Sequence, residues 1–217
     1  MLSKTSKLDG IKSWSLQAVD TCPARFRFVD GKATDQLAAA CAGCYATAGN
    51  YRFKNVKAVR ERNADDWQSV DWSDRMVDAL SGEEYFRWLD SGDIYSIELA
   101  SKVLDVMRRT PTVKHWIPTR MGHFAKFKTV LADMAALPNV VVRHSVDSDE
   151  RGLLGSNESI VFDPTQVLPA GVKACEAYQN DGKCNGCRAC WSKAVPTVGY
   201  PVHGQKKGRI IQLLKVA

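Results

Sequence analysis

Three short apolar segments recur at nearly equal intervals in the middle of the chain, and this spacing constrains the fold more than any other feature. Residues 85–89, 113–117 and 140–142 are rich in aromatic and β-branched side chains, as buried strands are. They begin 28 and then 27 residues apart. A strand, a helix and their turns fill such an interval, and repeated units of this kind build parallel sheets.

Helical patterns occupy both intervals. Apolar residues recur at helical spacing from Ile97 to Met107, and Pro111 lies just beyond them. The same pattern runs from Phe124 to Met134 and is closed by Pro138. The alternation of strand and helix predicts an α/β fold with a parallel sheet.

The flanking segments are less regular. Their patterns predict helices at residues 35–45, 56–62 and 73–80, a first strand at residues 11–19, and further strands at residues 159–162 and 209–216. Residues 164–204 are rich in Gly, Pro and Cys, which predicts a loop-dominated segment built around metal. We therefore expect an α/β domain over residues 1–162 and a cysteine-rich, cluster-binding segment over residues 163–217 packed on it.

Composition bears on where the chain works. No apolar run approaches the about 20 residues that cross a bilayer, and residues 1–14 lack the apolar core of a signal peptide. We expect a cytosolic protein with no membrane partner. In a reducing compartment, clustered cysteines are more often metal ligands or catalytic thiols than disulfides, and their odd number, seven, argues the same way.

Four cysteines lie close together near the end of the sequence. Cys175, Cys184, Cys187 and Cys190 form the pattern C-x8-C-x2-C-x2-C. Structural zinc sites usually use two separated C-x2-C knuckles, whereas three thiolates this close suit a cubane, in which each sulfur binds a different iron. The pattern favours a [4Fe–4S] cluster, and a zinc knuckle is the alternative.

Three further cysteines, Cys22, Cys41 and Cys44, lie near the start of the chain. Three ligands can hold a [4Fe–4S] cluster and leave one iron open to a substrate or cofactor, as open catalytic metal sites do. Cys41 and Cys44 lie in or beside an Ala-rich helical stretch, residues 37–46, where a spacing of three residues would place both on one face. Two alternatives remain: these two are small core residues of a helix, or one cluster takes ligands from both ends of the chain.

Polar residues follow each of the three central strands, at 90–93, 118–120 and 143–147. Ligands of parallel α/β folds bind at the carboxyl ends of strands. Ser91, Gly92 and Asp93 precede a helix, so backbone N–H groups there could hold a carboxylate while Asp93 takes an amine. The alternatives are that Ser91 and Asp93 are turn and capping residues and that His144 is a hydrogen-bonded histidine at a strand end.

A basic stretch accounts for part of the formal net charge of +6. It could contact the phosphates of a nucleic acid while its rings stack on bases, or it could be a solvated helix face. Its members are Tyr51, Arg52, Phe53, Lys54, Lys57, Arg60 and Arg62.

Four short motifs occur in order between Ser13 and Trp191. They are Cys22-Pro23, Cys41-Ala42-Gly43-Cys44-Tyr45-Ala46, Asp90-Ser91-Gly92-Asp93 and Cys184-Asn185-Gly186-Cys187-Arg188-Ala189-Cys190-Trp191. Taken together, they resemble a family of bacteriophage proteins called gene product 88, and this resemblance implies that the chain works in the host cytosol.

That family is in turn similar to the radical S-adenosylmethionine enzymes, and the similarity implies a partial (β/α) barrel. It implies that the first three cysteines hold the reactive [4Fe–4S] cluster and that the last four hold an auxiliary cluster. It places Ser91, Gly92 and Asp93 at the methionyl amine of S-adenosylmethionine, and residues 143–147, including Arg143 and Ser145, at its ribose or carboxylate. Here the first cysteine lies 19 residues before the second, whereas those enzymes hold all three in one short loop.

Three functions follow as hypotheses. The first is a radical-type enzyme of unknown substrate, in which an electron from a reductant protein passes through two clusters and cleaves S-adenosylmethionine reductively. The second is a non-catalytic iron–sulfur protein that binds nucleic acid or a host protein through a basic surface. The third is a structural zinc protein.

Overall fold

The computed structural model describes residues 2–147, 150–203 and 207–216 of the chain. Its centre is an eight-stranded sheet, and a two-stranded hairpin lies beside it. The strands in chain order are β1 (Ser3–Lys4), β2 (Lys12–Trp14), β3 (Phe26–Val29), β4 (Lys32–Leu37), β5 (Tyr85–Trp88), β6 (Lys114–Thr119), β7 (Val140–Ser145), β8 (Glu158–Phe162), β9 (Val172–Ala174) and β10 (Thr197–Pro201).

The large sheet has the order β1-β2-β5-β6-β7-β8-β10-β9 and is parallel except for β1, which pairs antiparallel to β2 at one edge. The three central strands predicted from the sequence are confirmed as β5, β6 and β7, and β8 confirms the strand predicted at residues 159–162. From β2 to β8 the order in space follows the order along the chain. The structure confirms the predicted α/β fold with a mostly parallel sheet, and the partial barrel that the resemblance implies stays a prediction.

Six α-helices occur in the described part of the chain: α1 (Ala39–Ala42), α2 (Lys54–Asp66), α3 (Trp72–Ala79), α4 (Ile97–Arg109), α5 (Lys128–Ala136) and α6 (Lys207–Val216). Helix α4 shows how the sequence fixes its bounds. The Ser96 hydroxyl accepts from Leu99 N at 3.1 Å at its start, and Arg108 and Arg109 lie in its last turn, where cations favour the helix dipole. Of the described residues, no helix is long and apolar enough to cross a bilayer.

Two predictions for the flanking segments were wrong. Residues 35–37 belong to strand β4, and only Ala39–Ala42 of the predicted helix at 35–45 is α-helical. Residues 209–216 lie in helix α6 rather than in a strand. Short apolar runs such as Ile210-Ile211 fit both periodicities, because a few residues cannot separate a period of 2 from one of 3.6.

The sheet is covered differently on its two sides, because successive side chains of a strand point to opposite faces. Phe86 and Trp88 join buried residues of α3, α4 and α5 in the main core, on what we call the helix face. Tyr85 and Trp116 point the other way and pack against Trp191 from the cysteine-rich segment, on what we call the cysteine face.

The segment after residue 162 also enters the sheet, since β10 pairs in parallel with both β8 and β9. Its remaining residues are mostly turns and loops, as the sequence predicted. The Trp191 indole N–H donates to the Phe86 carbonyl at 2.9 Å, which fixes the segment on the cysteine face. The division at residues 162 and 163 stays a prediction.

One fully buried histidine connects β5, β6 and α4 beneath the helix face. Trp88 Nε1 lies 3.2 Å from His115 Nδ1, and Thr110 Oγ1 lies 2.9 Å from His115 Nε2. The indole N–H can only donate, so Nδ1 accepts and Nε2 carries the proton. The Thr110 hydroxyl then donates to the Val106 carbonyl at 2.7 Å. Burial lowers the pKa of His115 to about 4.

We predict that acid destabilises the fold through this histidine. Its folded pKa lies below the unfolded value of about 6.5, so its contribution is complete above pH 6.5 and is lost as the pH falls towards 4. The loss is about 3 kcal/mol. The free energy of unfolding in urea should be measured at several pH values between 4 and 6.5. Its slope against pH should be smaller by the equivalent of about one proton in His115→Asn, which keeps an acceptor for Trp88 but does not titrate. Equal slopes in the two proteins would contradict this role.

Candidate functional site

The carboxyl ends of neighbouring strands are joined by one buried carboxylate, that of Asp93. Its oxygens accept from Thr119 Oγ1 at 2.6 Å, from Arg120 N at 2.9 Å and from Ile94 N at 2.8 Å. Burial raises the pKa of Asp93, and these three donors oppose the rise. The carboxylate therefore joins the end of β5 to the end of β6.

The side chain of Arg120 extends the network to the other strand ends. It donates to the carbonyls of Ala24 at 2.9 Å and Ser145 at 2.8 Å, and it pairs with Glu150 at 3.1 Å. Burial alone would raise the pKa of Glu150, but His123 and Arg120 lower it to about 2. The loop after β2 and the ends of β6 and β7 thus meet at one guanidinium, as expected for strand ends of a parallel sheet.

The first cysteine group lies at this edge of the sheet. The pKa of Cys22 and that of Cys41 are both raised to about 12, and burial is the largest cause. Negative charge on Cys41 and on Cys44 contributes to the rise for Cys22, and negative charge on Cys44 contributes to the rise for Cys41. Cys22 lies 19 residues before Cys41 in the sequence, yet it is near enough to Cys41 and Cys44 for their charges to act on its thiol. The Asp147 carboxylate accepts from Ala39 N at 3.1 Å and so holds the start of α1, which carries Cys41.

The expectation that Cys41 and Cys44 share a helix face was wrong. Helix α1 ends at Ala42, and Cys44 follows it in a turn, where its N–H donates to the Cys41 carbonyl at 3.2 Å. A four-residue helix is too short to carry both thiols on successive turns. The turn, rather than a helix face, brings them together.

The second cysteine group lies on the cysteine face. Burial raises the pKa of Cys184 to about 11, and Cys175, Cys190 and Cys187 contribute electrostatically. The backbone holds two of these residues in place, since Cys175 N donates to Gly199 O at 2.7 Å and Cys184 N donates to Lys7 O at 2.8 Å. All seven cysteines of the chain are free of disulfides.

Arg143 fixes this second group to the sheet. It is fully buried on β7, and its guanidinium donates to carbonyls of the cysteine-rich segment, among them Cys190 at 3.0 Å and Ala189 at 2.8 Å. The other carbonyl partners are those of Glu158, Ser192, Val195 and Pro196. These contacts occupy its N–H groups, so Arg143 orders the cysteine loop.

The two groups approach each other through Tyr45, which belongs to a quoted sequence motif, and through Arg87 and Tyr200, which the sequence did not single out. Tyr45, next to Cys44, accepts from Arg87 at 3.3 Å. The Tyr200 hydroxyl lies 3.2 Å from Cys190 Sγ, and Arg87 acts electrostatically on both Tyr200 and Cys190. Arg87 could have been identified from the sequence, because it is a cation within the otherwise aromatic strand Tyr85–Trp88 and charges are rarely buried without a partner.

The predicted cofactor contacts build the loop after β5. Ser91 Oγ donates to Leu16 O at 2.6 Å and accepts from Arg60. Gly92 has φ 75°, and a Cβ there would lie 2.6 Å from Thr21 Oγ1, so only glycine fits. Ser145 Oγ lies 3.2 Å from Ser159 Oγ. Their assignment to a cofactor stays a prediction.

The basic stretch divides into an inner and an outer part. Arg60 is buried, pairs with Asp90 at 3.6 Å and stacks over Tyr51. The remaining cations, Arg52, Lys54, Lys57 and Arg62, are exposed, and Phe53 beside them is 58% exposed.

Among the described Cys, His, Asp and Glu side chains, no three lie close enough to bind one metal ion.

Comparison with known proteins gives one match. A family model described as Gene product 88 matches residues 2–212 of the chain. Neither the search of curated proteins nor the search of solved structures found a match.

We predict that Arg143→Met loosens the second cysteine group. Six carbonyls lose their donor, so unfolding should become easier by about 3 kcal/mol. Alkylation of Cys190 in the metal-free protein, followed residue by residue by mass spectrometry, should accelerate at least about tenfold. The matched control is Arg108→Met, which removes an exposed cation paired with Asp133 at 3.7 Å on the helix side of the sheet. Unchanged alkylation of Cys190 in Arg143→Met would show that this contact does not order the loop.

Proposed function

The chain belongs to the Gene product 88 family of bacteriophage proteins, and from this premise we propose that it binds iron–sulfur clusters at its two cysteine groups. The observation that carries the proposal is the surroundings of Arg143. Burial lowers the pKa of this guanidinium, and the groups that offset the effect are the Cys190 thiol and the Tyr200 hydroxyl rather than a carboxylate.

A buried cation beside thiols is well placed when those thiols are ionised. In the metal-free protein, burial raises the pKa of Cys190 and Cys184 and keeps them protonated. Iron binding requires thiolates and releases the protons. The resulting negative charge would lie beside Arg143 and within electrostatic reach of Arg87.

The arrangement of the thiols favours a cluster over zinc. Tetrahedral zinc with bonds of about 2.3 Å holds its four sulfurs about 3.8 Å from one another. In a cubane each thiolate binds a different iron, so the sulfurs lie farther apart. The close sequence spacing of Cys184, Cys187 and Cys190 is what favours the cluster here.

We further propose that the cluster at Cys22, Cys41 and Cys44 is the reactive one and keeps one iron open. This group lies at the carboxyl edge of the sheet, where α/β folds bind ligands. The strand order from β2 to β8 supports a partial barrel, because right-handed crossovers between successive neighbours place their helices on one face. Such a cluster, once bound, supplies one-electron chemistry, and a reductant protein would be the partner.

The residues assigned to S-adenosylmethionine do not fit direct contact in their present arrangement. Asp93 already accepts three hydrogen bonds, and Ser91 and Arg143 use their polar groups within the chain. Asp93 instead helps to position the first cysteine group, because its N–H donates to Thr21 O at 3.1 Å, directly before Cys22. We therefore propose no step through this cofactor.

The basic stretch favours a second function, binding of nucleic acid or a host protein. Four exposed cations lie beside Phe53, whose ring is available for stacking. Retardation of mixed DNA and RNA that weakens with rising salt would support this function. Retention of the same affinity after Lys54→Glu and Lys57→Glu would argue against this surface.

The first test is anaerobic purification followed by iron and sulfide analysis. We expect about eight irons per chain, and about four after Cys22, Cys41 and Cys44 are all replaced by Ala. Replacement of Cys184, Cys187 and Cys190 by Ala should remove the other half. A colourless protein that contains zinc, or one that loses all its iron in both variants, would refute two separate clusters.

A second test concerns the tuning of the cluster at Cys190. An iron-bound thiolate cannot donate, so Tyr200 must donate to it, and hydrogen bonds to ligand sulfur help set the reduction potential. Tyr200→Phe should therefore make the potential of this cluster more negative in a redox titration followed by electron paramagnetic resonance. Tyr85→Phe, on the same face but packed on Trp191, is the control. An unshifted potential in Tyr200→Phe would exclude this hydrogen bond.

A further inference from the structure

A cleft of about 460 Å³ opens on the helix face of the sheet, and the cluster proposal makes no use of it. This volume lies within the range of sites for small organic ligands. One wall is helix α5, the floor is β7, and the opposite wall is the segment at residues 153–157. The apolar lining comes from Leu131, Ala132, Ala135, Val140, Val142, Leu153 and Leu154.

The floor of the cleft ends at a histidine whose ring nitrogen has no partner. His144 is 7% exposed, and its Nδ1 is buried without a hydrogen bond in the described structure. Such groups usually find a partner in a folded protein. Burial and the neighbouring His123 lower the pKa of His144 to about 4, so the ring is neutral near pH 7 and can carry its proton on either nitrogen.

Glycines on both sides keep the edges of this ring clear of side chains. A Cβ at Gly122 would lie 2.9 Å from His144 Nδ1, and one at Gly155 would lie 2.7 Å from Nε2. Both glycines themselves line the cleft. Any other residue at either position would press on the imidazole, so the ring can occupy the end of the cleft only because both positions are glycine.

Positive potential comes from the start of α5. Lys128 is the first residue of this nine-residue helix, is exposed and lines the cleft. Phe127 precedes it and provides no side-chain cap, so the first N–H groups of the helix lack a side-chain acceptor. Helix N-termini and lysines both attract anions. The second lysine of the lining, Lys193, is already bonded to the carbonyls of Ala135 and Leu137.

We propose that this cleft binds a small carboxylate with an apolar body. The carboxylate lies between Lys128 and the imidazole of His144, which donates to it. The apolar body lies against α5 and β7, with Leu131 in the wall and Val142 in the floor. The site does not depend on bound iron, so it stands or falls separately from the cluster proposal.

The test uses two probes that share one body, 4-phenylbutyrate and the uncharged 4-phenylbutan-1-ol, with the full chain and isothermal titration calorimetry. We expect saturable binding of the acid, at least about fivefold tighter than that of the alcohol. The ¹⁵N resonance of His144 Nδ1 should shift with the acid. Lys128→Met should remove the preference for the acid, whereas Lys126→Met, an exposed cation over the Phe127 ring, should leave it unchanged.

Filling the cleft gives the second arm. Ala132 is exposed on α5 and lines the cleft, so Ala132→Leu occupies the space without disturbing the core. This variant should melt like the parent and lose at least about tenfold in affinity for both probes. The proposal is overturned if neither probe binds saturably to the parent, or if Ala132→Leu binds both probes with the affinity of the parent. It is also overturned if Lys128→Met lowers the affinities for the acid and the alcohol equally.

Discussion

The Arg120 guanidinium is the contact on which the carboxyl edge of the sheet depends. Removing this charge from water costs several kcal/mol, and the cost is met only because every side of the group is paired. Glu150 supplies the opposite charge, and the carbonyls of Ala24, Phe26 and Ser145 accept the remaining N–H groups. Three separate stretches of chain must therefore be in place at once. These contacts therefore also position the loop that carries Cys22 and the helix α1 that carries Cys41.

A second buried guanidinium does the same for the other face of the sheet. Among the described residues Arg143 has no carboxylate partner, and it donates instead to carbonyls of a segment that has little regular structure of its own. Loop carbonyls are ordinarily turned towards water. Here the carbonyls of Ala189, Cys190 and Ser192 turn towards the sheet, which fixes the loop that carries the second cysteine group. Arg87 lies between this group and the first, so the same sheet presents both.

The sequence predicted those parts of the fold in which local pattern and final structure agree. Strands β5, β6 and β7 and helix α4 were found because apolar periodicity, β-branched residues and caps all pointed the same way. The helix expected at residues 35–45 failed because a hairpin partner, β3, offered β4 backbone hydrogen bonds that local propensity does not count. The two cysteine groups were recognisable from spacing. The tie between them through Arg87 and Tyr200 was not, because it joins residues more than 100 positions apart.

The contacts of the first loop of the chain have a consequence for the order of assembly during translation. Lys7 accepts from Cys184, and Asp9 pairs with Arg188 and accepts from Gly186. These partners are separated by about 180 residues of chain. The ribosome therefore delivers the first loop long before the residues that bind it. Sheet strands β2, β5, β6 and β7 can pair as they emerge, whereas the second cysteine group reaches its contacts with the first loop only after these strands have been made.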